Sequence, residues 1–541
     1  MPSLRIRLML AVSLAILVIA APLPAQSAKP STPQAVAAEI DAHIQKKLAK
    51  EKTPASPNAD DAEYLRRTFL LATGRLPTPD RVLSFLESKE ADKRQKVAEE
   101  LLASPKFGDH LASYWSQLIT AEEPKYRKEL GKWLTEEFNK NSPWSRIVSD
   151  LVTHEGSGPK IGFVMSNVDN NQPQPNKLAG STARLFLGVQ LQCAECHNHP
   201  FTTWKQNDFW GMAAFYSRVK FTKPIQAKGK DVTLGIAEAV ATTAKGKKDP
   251  VKPGAYIVIP TTAGKNAGKV ISAKLLEGDE PKLPSDGAVR GNLADWMTAP
   301  GNKFFAKAFV NRMWSHFLGR GIVHPVDDMH DDNTPIHPEV LQLLTDEFKA
   351  SNYDVKHLVR CILATQAYQR TSRPLEGNKD DPVLNSHQNV QVMNPEVLYD
   401  ALVQAFGVTQ IKLSTSASTA GAATGRPVVT TAARDRFIKA FSTSDADAEP
   451  TDYTHGIPQA LTLMNDPAFN YGGPSVDALM KANKEPANVI EGLFLATLSR
   501  RPTSDETKLM TDYLARRSDR RQGYAGVLWI LVNTEEFVLI R

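Results

Sequence analysis

The sequence predicts a mainly α fold in which two helical halves are joined by a small β-rich insert. Three observations carry that expectation. Apolar residues recur at three- and four-residue spacing over most of the chain, and Pro, Gly, Ser, Thr and Asn stand where such runs begin and end. Between residues 221 and 290 the character changes: Val, Ile and Thr displace Leu and Glu, and Gly, Pro and Lys interrupt every few positions. The 541 residues are 42% apolar and 23% charged, ordinary values for a chain that buries large cores. Against 65 basic and 59 acidic side chains the net charge of +6 is small. The basic residues are scattered apart from a short run at 245–248, so they read as solvated surface and no nucleic-acid footprint is present.

Residues 1–28 read as a signal peptide. Arg5 and Arg7 precede an apolar run over 8–21, too short for a comfortable membrane span, and Ala25, Ser27 and Ala28 suit cleavage. An uncleaved anchor is the alternative. No cysteine lies near the cleavage region, so a lipoprotein anchor is not expected. The mature chain is expected to be periplasmic or otherwise exported, without a stable membrane span and in an oxidising compartment. Residues 29–60, rich in Pro, Ala, Lys and Ser, read as a linker and packing arm that is helical near 35–48.

The first helical half covers 61–220. Its first firm helix is 62–73, where Leu65, Phe69 and Ala72 share a face; Gly74 ends it, and Thr78-Pro79 caps the next. Helices follow near 93–103, 107–118, 125–139 and 179–189, with an irregular Asn/Gln/Pro-rich stretch at 167–176. In the insert, 256–260 and 269–272 read as short strands. The second half, 291–541, is expected to be helical near 292–296, 303–318, 338–350, 355–364, 395–406, 458–464, 489–498, 504–515 and 523–533. Residues 413–430, dense in Ser, Thr, Ala and Gly, read as a surface loop. The stretch Phe69 to Asp80 is echoed by Phe494 to Glu506: a helix end, a basic residue, Pro-Thr and a newly capped helix. That echo is either a shared turn device or a duplicated helical unit.

Chemistry concentrates at Leu191-Gln-Cys-Ala-Glu-Cys-His-Asn-His-Pro-Phe201. Cys193, Cys196 and His197 make C-x-x-C-H, the spacing at which two thiols add to the vinyl groups of a haem while the histidine ligates its iron. Met212 or His199 is then a candidate distal ligand. Two other readings of the same residues stand beside haem c. The cysteines form a local disulfide, or they hold zinc together with His197 and His199 and further ligands from elsewhere. Cys361, in an apolar helical run, reads as a buried core residue. A second polar cluster comprises Asp327, Asp328, His330, Asp331 and His337; it suits a metal or acid–base chemistry, or is simply a solvated turn before a helix. The tryptophans read mostly as core, with one or two available to line a haem pocket or a sugar-binding face. No G-x-S-x-G, H-E-x-x-H or phosphate loop occurs.

Several strings together resemble a pair of domains found in planctomycete and related bacterial proteins. Tyr64-Leu-Arg-Arg, Thr73-Gly-Arg-Leu-Pro-Thr-Pro, Leu101-Leu-Ala-Ser-Pro-Lys-Phe-Gly and the C-x-x-C-H stretch with its tail through Tyr216 are similar to DUF1549, also called planctomycete cytochrome C-like domain 2. Asn311-Arg-Met-Trp-Ser-His-Phe-Leu-Gly-Arg-Gly321, Pro325-Val-Asp-Asp328, His337-Pro-Glu, Ala367-Tyr-Gln-Arg, the 458–465 stretch and Leu531-Val-Asn-Thr-Glu-Glu-Phe537 resemble DUF1553, or PSD1. The resemblance implies a cytochrome-like character without an established activity. Many members carry a further haem-binding domain, and this chain has no second C-x-x-C-H, so an electron relay is expected to need a partner protein. Three expectations follow: an exported c-type haem protein with a redox role; a structural or interaction protein in which the motif is a disulfide or zinc staple; and, more weakly, an accessory of polysaccharide processing that binds glycan.

Overall fold

The computed structural model describes residues 30–121, 124–222, 225–226, 232–238, 255–260, 266–278, 280–284, 288–414, 433–442 and 456–541. The expected signal peptide, the 245–248 run and residues 415–430 of the expected loop lie outside the described residues. Among those described, 23 α-helices carry the fold, and the strands form only two-stranded antiparallel sheets. The fold is mainly α. No described helix is long and apolar enough to cross a membrane.

The arm is a single helix, Pro33–Lys50, started by Thr32, whose side chain accepts from the Ala35 amide at 3.3 Å. Its buried face, Val36, Ile40, Ile44 and Leu48, packs on helices Pro338–Ala350 and Val355–Ala364 of the second half. Helix Asp61–Thr73 locks the halves in another way, through two buried arginines. Arg66 donates to the carbonyls of Thr497 at 2.6 Å and Phe537 at 2.8 Å, and Arg67 donates to that of Tyr368 at 2.7 Å. A buried guanidinium is tolerable because its fixed fork meets carbonyls that helix ends leave over. Burial still pulls the Arg66 guanidinium down to about 10. One hydrophobic core therefore runs from the arm through both halves.

The insert supplies three hairpins, Val219–Phe221 with Ile236–Glu238, Ile225–Gln226 with Val232–Thr233, and Tyr256–Val258 with Val270–Ser272. The last lies against helix Gln206–Ala214. The stretch expected to be irregular holds a small hairpin, Val168–Asp169 with Gln172–Pro173. Its turn residues Asn170 and Asn171 both have positive φ, 48° and 58°, the left-handed pair that asparagine accepts in a two-residue hairpin. Helices Trp144–Val152, Ala433–Phe441 and Gly473–Ala482 have no counterpart in the sequence expectation. Each is only two or three turns long, too short for its periodicity to stand out.

The internal echo has matching geometry. Helix Asp61–Thr73 ends on Gly74 at φ 63°, and helix Pro486–Leu498 ends on Ser499 at φ 59°. Thr78 and Thr503 then cap the following helices. A serine in the left-handed region is strained where a glycine is not, so Ser499→Gly is expected to raise stability by about 0.5–1 kcal/mol. The reciprocal Gly74→Ser should lower it, because a Cβ there stands 2.6 Å from His110 Nδ1. Urea midpoints of the two variants read both signs.

Arg500 clamps the second copy of the turn, bonding Glu506 through both terminal nitrogens at 2.7 and 2.8 Å and Glu536 through Nε at 2.6 Å. The Arg500 hydrogen bonds hold the Glu506 carboxyl down at about 2, against an ordinary 4.5. A depressed carboxylate stabilises the fold fully above its unfolded pKa, and that contribution disappears as pH falls toward the folded value. Between pH 7 and pH 4.5 Glu506→Gln should therefore melt below the parent protein, and the gap should close as pH approaches about 2. Thermal melts of both proteins across that range measure it.

Candidate functional site

Helix Pro175–Thr182 leads into the cysteine motif, but it does not continue as α-helix to residue 189. At Ala183–Leu187 it widens into a π turn, closed by the Gly188 amide on the Ala183 carbonyl. Leu185 lies in the last turn of this helix, where carbonyls lack intrahelical partners, and buried Arg312 donates to its carbonyl: Nη1 lies 2.8 Å from the Leu185 oxygen. Gly188 follows at φ 68°, where a Cβ would meet the Ala308 Cβ at 3.1 Å and the Met329 sulfur at 3.2 Å. Only glycine suits that corner.

Beyond the corner, Gln192–Glu195 forms a 3₁₀ turn. Buried Ala194 pegs it to the core, while Cys193, Cys196 and His197 are exposed. In 3₁₀ geometry residues three apart eclipse one another, which puts both thiols on one side of the turn. The turn's back is pinned. The Glu195 carbonyl accepts from Gln206 Nε2 at 2.9 Å and from Trp210 Nε1 at 3.0 Å, and the Glu195 side chain accepts from Asn176 at 2.9 Å. Asn198 Oδ1 accepts from the Gln206 amide at 3.1 Å. Both thiols are free, not joined as a disulfide.

The candidate distal ligands fall differently from expectation. Trp210 faces the motif, and Met212 lies two residues further along the same helix, about 200° around it at 3.6 residues per turn. Met212 is fully buried in the core, so its thioether points away from the exposed thiols. His199 Nδ1 accepts from the Phe201 amide at 3.2 Å, which leaves the ring proton on Nε2. His197 has the opposite tautomer. Its Nδ1 lies 2.7 Å from the Asn198 carbonyl, which can only accept, so the proton is on Nδ1 and the Nε2 lone pair is free.

The Asp/His cluster divides. The loop carrying Asp327, Asp328 and His330 is fastened to the chain that leads into the cysteine motif. Asp327 accepts from Gln190 at 2.9 Å and stands 3.9 Å from Arg184; the Met329 amide donates to the Gly188 carbonyl at 2.9 Å. His330 Nε2 is 3.7 Å from Asp328. Burial lowers the His199 pKa, Asp328 opposes that shift, and His330 and His197 add to it, so the two clusters share one electrostatic neighbourhood. Asp331 is exposed. His337 is not part of the group: it is buried at the start of helix Pro338–Ala350, with Nε2 3.2 Å from the Leu384 carbonyl, and burial pushes its pKa down to about 4. The turn at 331–333, where Asn333 Nδ2 donates to the Asp328 carbonyl at 2.8 Å, separates residues that the sequence places side by side.

Asn311 shapes the loop that carries Asp327 to His330. Its Nδ2 donates to the carbonyls of Val323 at 2.8 Å and Val326 at 3.2 Å, and its Oδ1 accepts from the Val323 amide at 2.9 Å. Asn311 and Arg312 are neighbours on helix Phe305–Leu318, every residue of which except Lys307 is buried. Sequence reasoning passed over both, and over Gln190, Gln206 and Trp210 as braces. The available signal was an Asn-Arg pair inside an otherwise apolar helical run.

Other sequence candidates resolve as core. Trp115, Trp144, Trp210 and Trp314 are fully buried. Cys361 is buried and burial pushes its thiol up to about 12. His357, 3.7 Å from that sulfur, uses the same Nε2 to bond Glu347 at 2.7 Å, so the ring nitrogen that faces the thiol is already engaged. Among the described residues no group of three or more His, Cys, Asp or Glu is arranged to hold a metal ion by itself. Cys193, Cys196 and His197 are the two thiols and one imidazole that haem attachment through C-x-x-C-H would use.

Asn311→Leu removes three buried hydrogen bonds and strands their backbone partners. At about 1 kcal/mol for each, the variant should lose roughly 3 kcal/mol in urea unfolding.

Residues 39–221 match the family described as PSCyt2, a protein of unknown function (DUF1549), and residues 289–514 match PSD1, a protein of unknown function (DUF1553). The cysteine turn lies within the first match and the Asp327–His330 loop within the second. No curated protein and no solved structure gives a significant match.

Proposed function

We propose, for a chain that belongs to the paired DUF1549 and DUF1553 proteins, that it is an exported c-type haem protein which exchanges electrons with a partner protein. The observation that carries this reading is the His197 tautomer. With Nδ1–H given to the Asn198 carbonyl, the ring is oriented by its own backbone and offers Nε2 outward, the arrangement of a metal-ligating histidine. Cys193 and Cys196 stand free and exposed beside it, on a turn whose carbonyl and side chain are held from behind.

Bound there, haem would supply reversible one-electron chemistry at its iron. The chain's own residues do the rest. Cys193 and Cys196 would hold the porphyrin edge through thioethers, and His197 would ligate from the proximal side. Phe201, 78% exposed, with its ring 6.4 Å from that of His199, offers apolar surface close by. The openness of the motif suits transfer to a partner docked on this face. Export is supported by Arg5 and Arg7 ahead of the apolar run at 8–21.

The test is expression in a periplasm equipped for cytochrome c maturation, followed by the visible spectrum of the denatured, reduced protein. A covalent haem band is expected in the parent chain and should vanish in a Cys193→Ala/Cys196→Ala control. A folded, soluble parent protein without the band would sink this reading and favour a structural or interaction role for the motif.

A further inference from the structure

Among the described residues ten large apolar side chains stand exposed, and five of them, Ile457, Leu461, Met464, Tyr471 and Leu509, crowd onto adjoining elements near the C-terminus. That makes a patch rather than the single scattered residues any surface carries. Helix Ile457–Asn465 contributes three of them, at i, i+4 and i+7 on one face. It holds no charged residue and buries only Leu463, and Ile457 is 77% exposed.

Helix Arg520–Val532 extends the patch. Trp529 Nε1 donates to the Met464 carbonyl at 3.2 Å. One turn earlier Ala525 stands where a Cβ on Gly472 would come within 2.8 Å, and one turn earlier again Arg521 donates to the Tyr471 carbonyl at 3.1 Å. The short connection at 516–519 makes helices Ser504–Ala515 and Arg520–Val532 antiparallel neighbours. The Tyr513 hydroxyl lies over Gly526, in the space a Cβ would fill. Leu509, one turn before Tyr513, therefore comes level with Ile530, one turn after Gly526.

That connection is cationic. Arg516, Arg517, Arg520 and Arg521 are all exposed, against the single acid Asp519, which caps the helix by accepting from the Gln522 amide at 3.1 Å. Arg521 bonds Asp477 through Nε at 2.7 Å, and the Arg517 guanidinium lies 4.7 Å from the Tyr513 ring centroid. Among the described residues Arg516, Arg517 and Arg520 have no ion pair. Charge complementarity names the occupant. Aliphatic side chains on an uncharged helix suit an apolar phase, Trp529 and Tyr471 at the border carry apolar bodies with polar tips, and unpaired guanidiniums seek phosphates. An anionic phospholipid surface supplies all of these together.

We propose that this face docks the protein peripherally on an anionic lipid surface, with Ile457, Leu461 and Met464 entering the acyl boundary and Arg516, Arg517 and Arg520 meeting lipid phosphates. The proposal is independent of the haem reading.

The experiment is co-sedimentation of the mature chain, without residues 1–28, so that the apolar run at 8–21 takes no part. Vesicles of phosphatidylcholine alone are compared with vesicles that also contain phosphatidylglycerol. The parent should bind the anionic vesicles and bind them more weakly as salt is raised. Arg516→Ser/Arg520→Ser should weaken binding at low salt by about fivefold for each arginine. Leu461→Ser/Met464→Ser should weaken it at least about tenfold at low and high salt alike. These side chains are exposed, so both variants should melt with the parent; Ile457→Ser gives a third, independent loss of binding. No binding of the folded parent to anionic vesicles overturns the proposal, as does binding that Leu461→Ser/Met464→Ser leaves unchanged. Equal binding to phosphatidylcholine alone overturns it too. A parent that ignores vesicles yet dimerises by light scattering, with Leu461→Ser/Met464→Ser monomeric, assigns the face to a second copy of the chain instead.

Discussion

Two polar side chains side by side in a buried helix govern the architecture of the candidate site. Asn311 and Arg312 sit in Phe305–Leu318, surrounded by protein, where an unpaired donor is costly. The middle of a regular helix has no spare carbonyl to offer them. Helix ends and loops do: the last turn before Gly188 leaves the Leu185 carbonyl for Arg312, and the loop after the helix turns the carbonyls of Val323 and Val326 toward Asn311. Each irregularity would be expensive without its side chain, and each side chain without its irregularity. One element thereby holds the corner that launches the cysteine turn and the loop that faces it.

This mutual dependence explains why the halves are not separable modules in space. Arg66 and Arg67 reach from the first half into carbonyls of the second, the N-terminal helix lies on second-half helices, and one core spans them. The cysteine turn inherits that rigidity at its back, through Gln206, Trp210 and Asn176, while its chemical side stays open. A fixed back and an accessible front suit a site where a cofactor must be held in one orientation yet exchange electrons with another protein.

Much of this was legible in the sequence because it is local. Thr78, Thr503 and Gly74 mark helix ends through their own backbone preferences, and the spacing of Cys193, Cys196 and His197 declares itself. What was hidden depends on neighbours far along the chain. The sequence predicts helix up to residue 189, but nothing nearby says that the segment closes in a π turn or that Arg312, more than a hundred residues later, bonds the Leu185 carbonyl. Met212 and His199 were equally plausible distal ligands by proximity in sequence; only the facing of one helix and the tautomer of one ring separate them. Asp327 to His337 reads as one cluster in the sequence, and the turn at 331–333 sends His337 into the core instead.

The central claim is that Cys193 and Cys196 carry a covalent cofactor, whereas Cys361 is a buried structural thiol. Alkylation of the matured protein after denaturation and reduction, with the products mapped by mass spectrometry, tests it most directly. Modification of Cys361 alone is the expected result, because thioethers survive a reductant that opens disulfides. Modification of all three cysteines in the chain would contradict the claim.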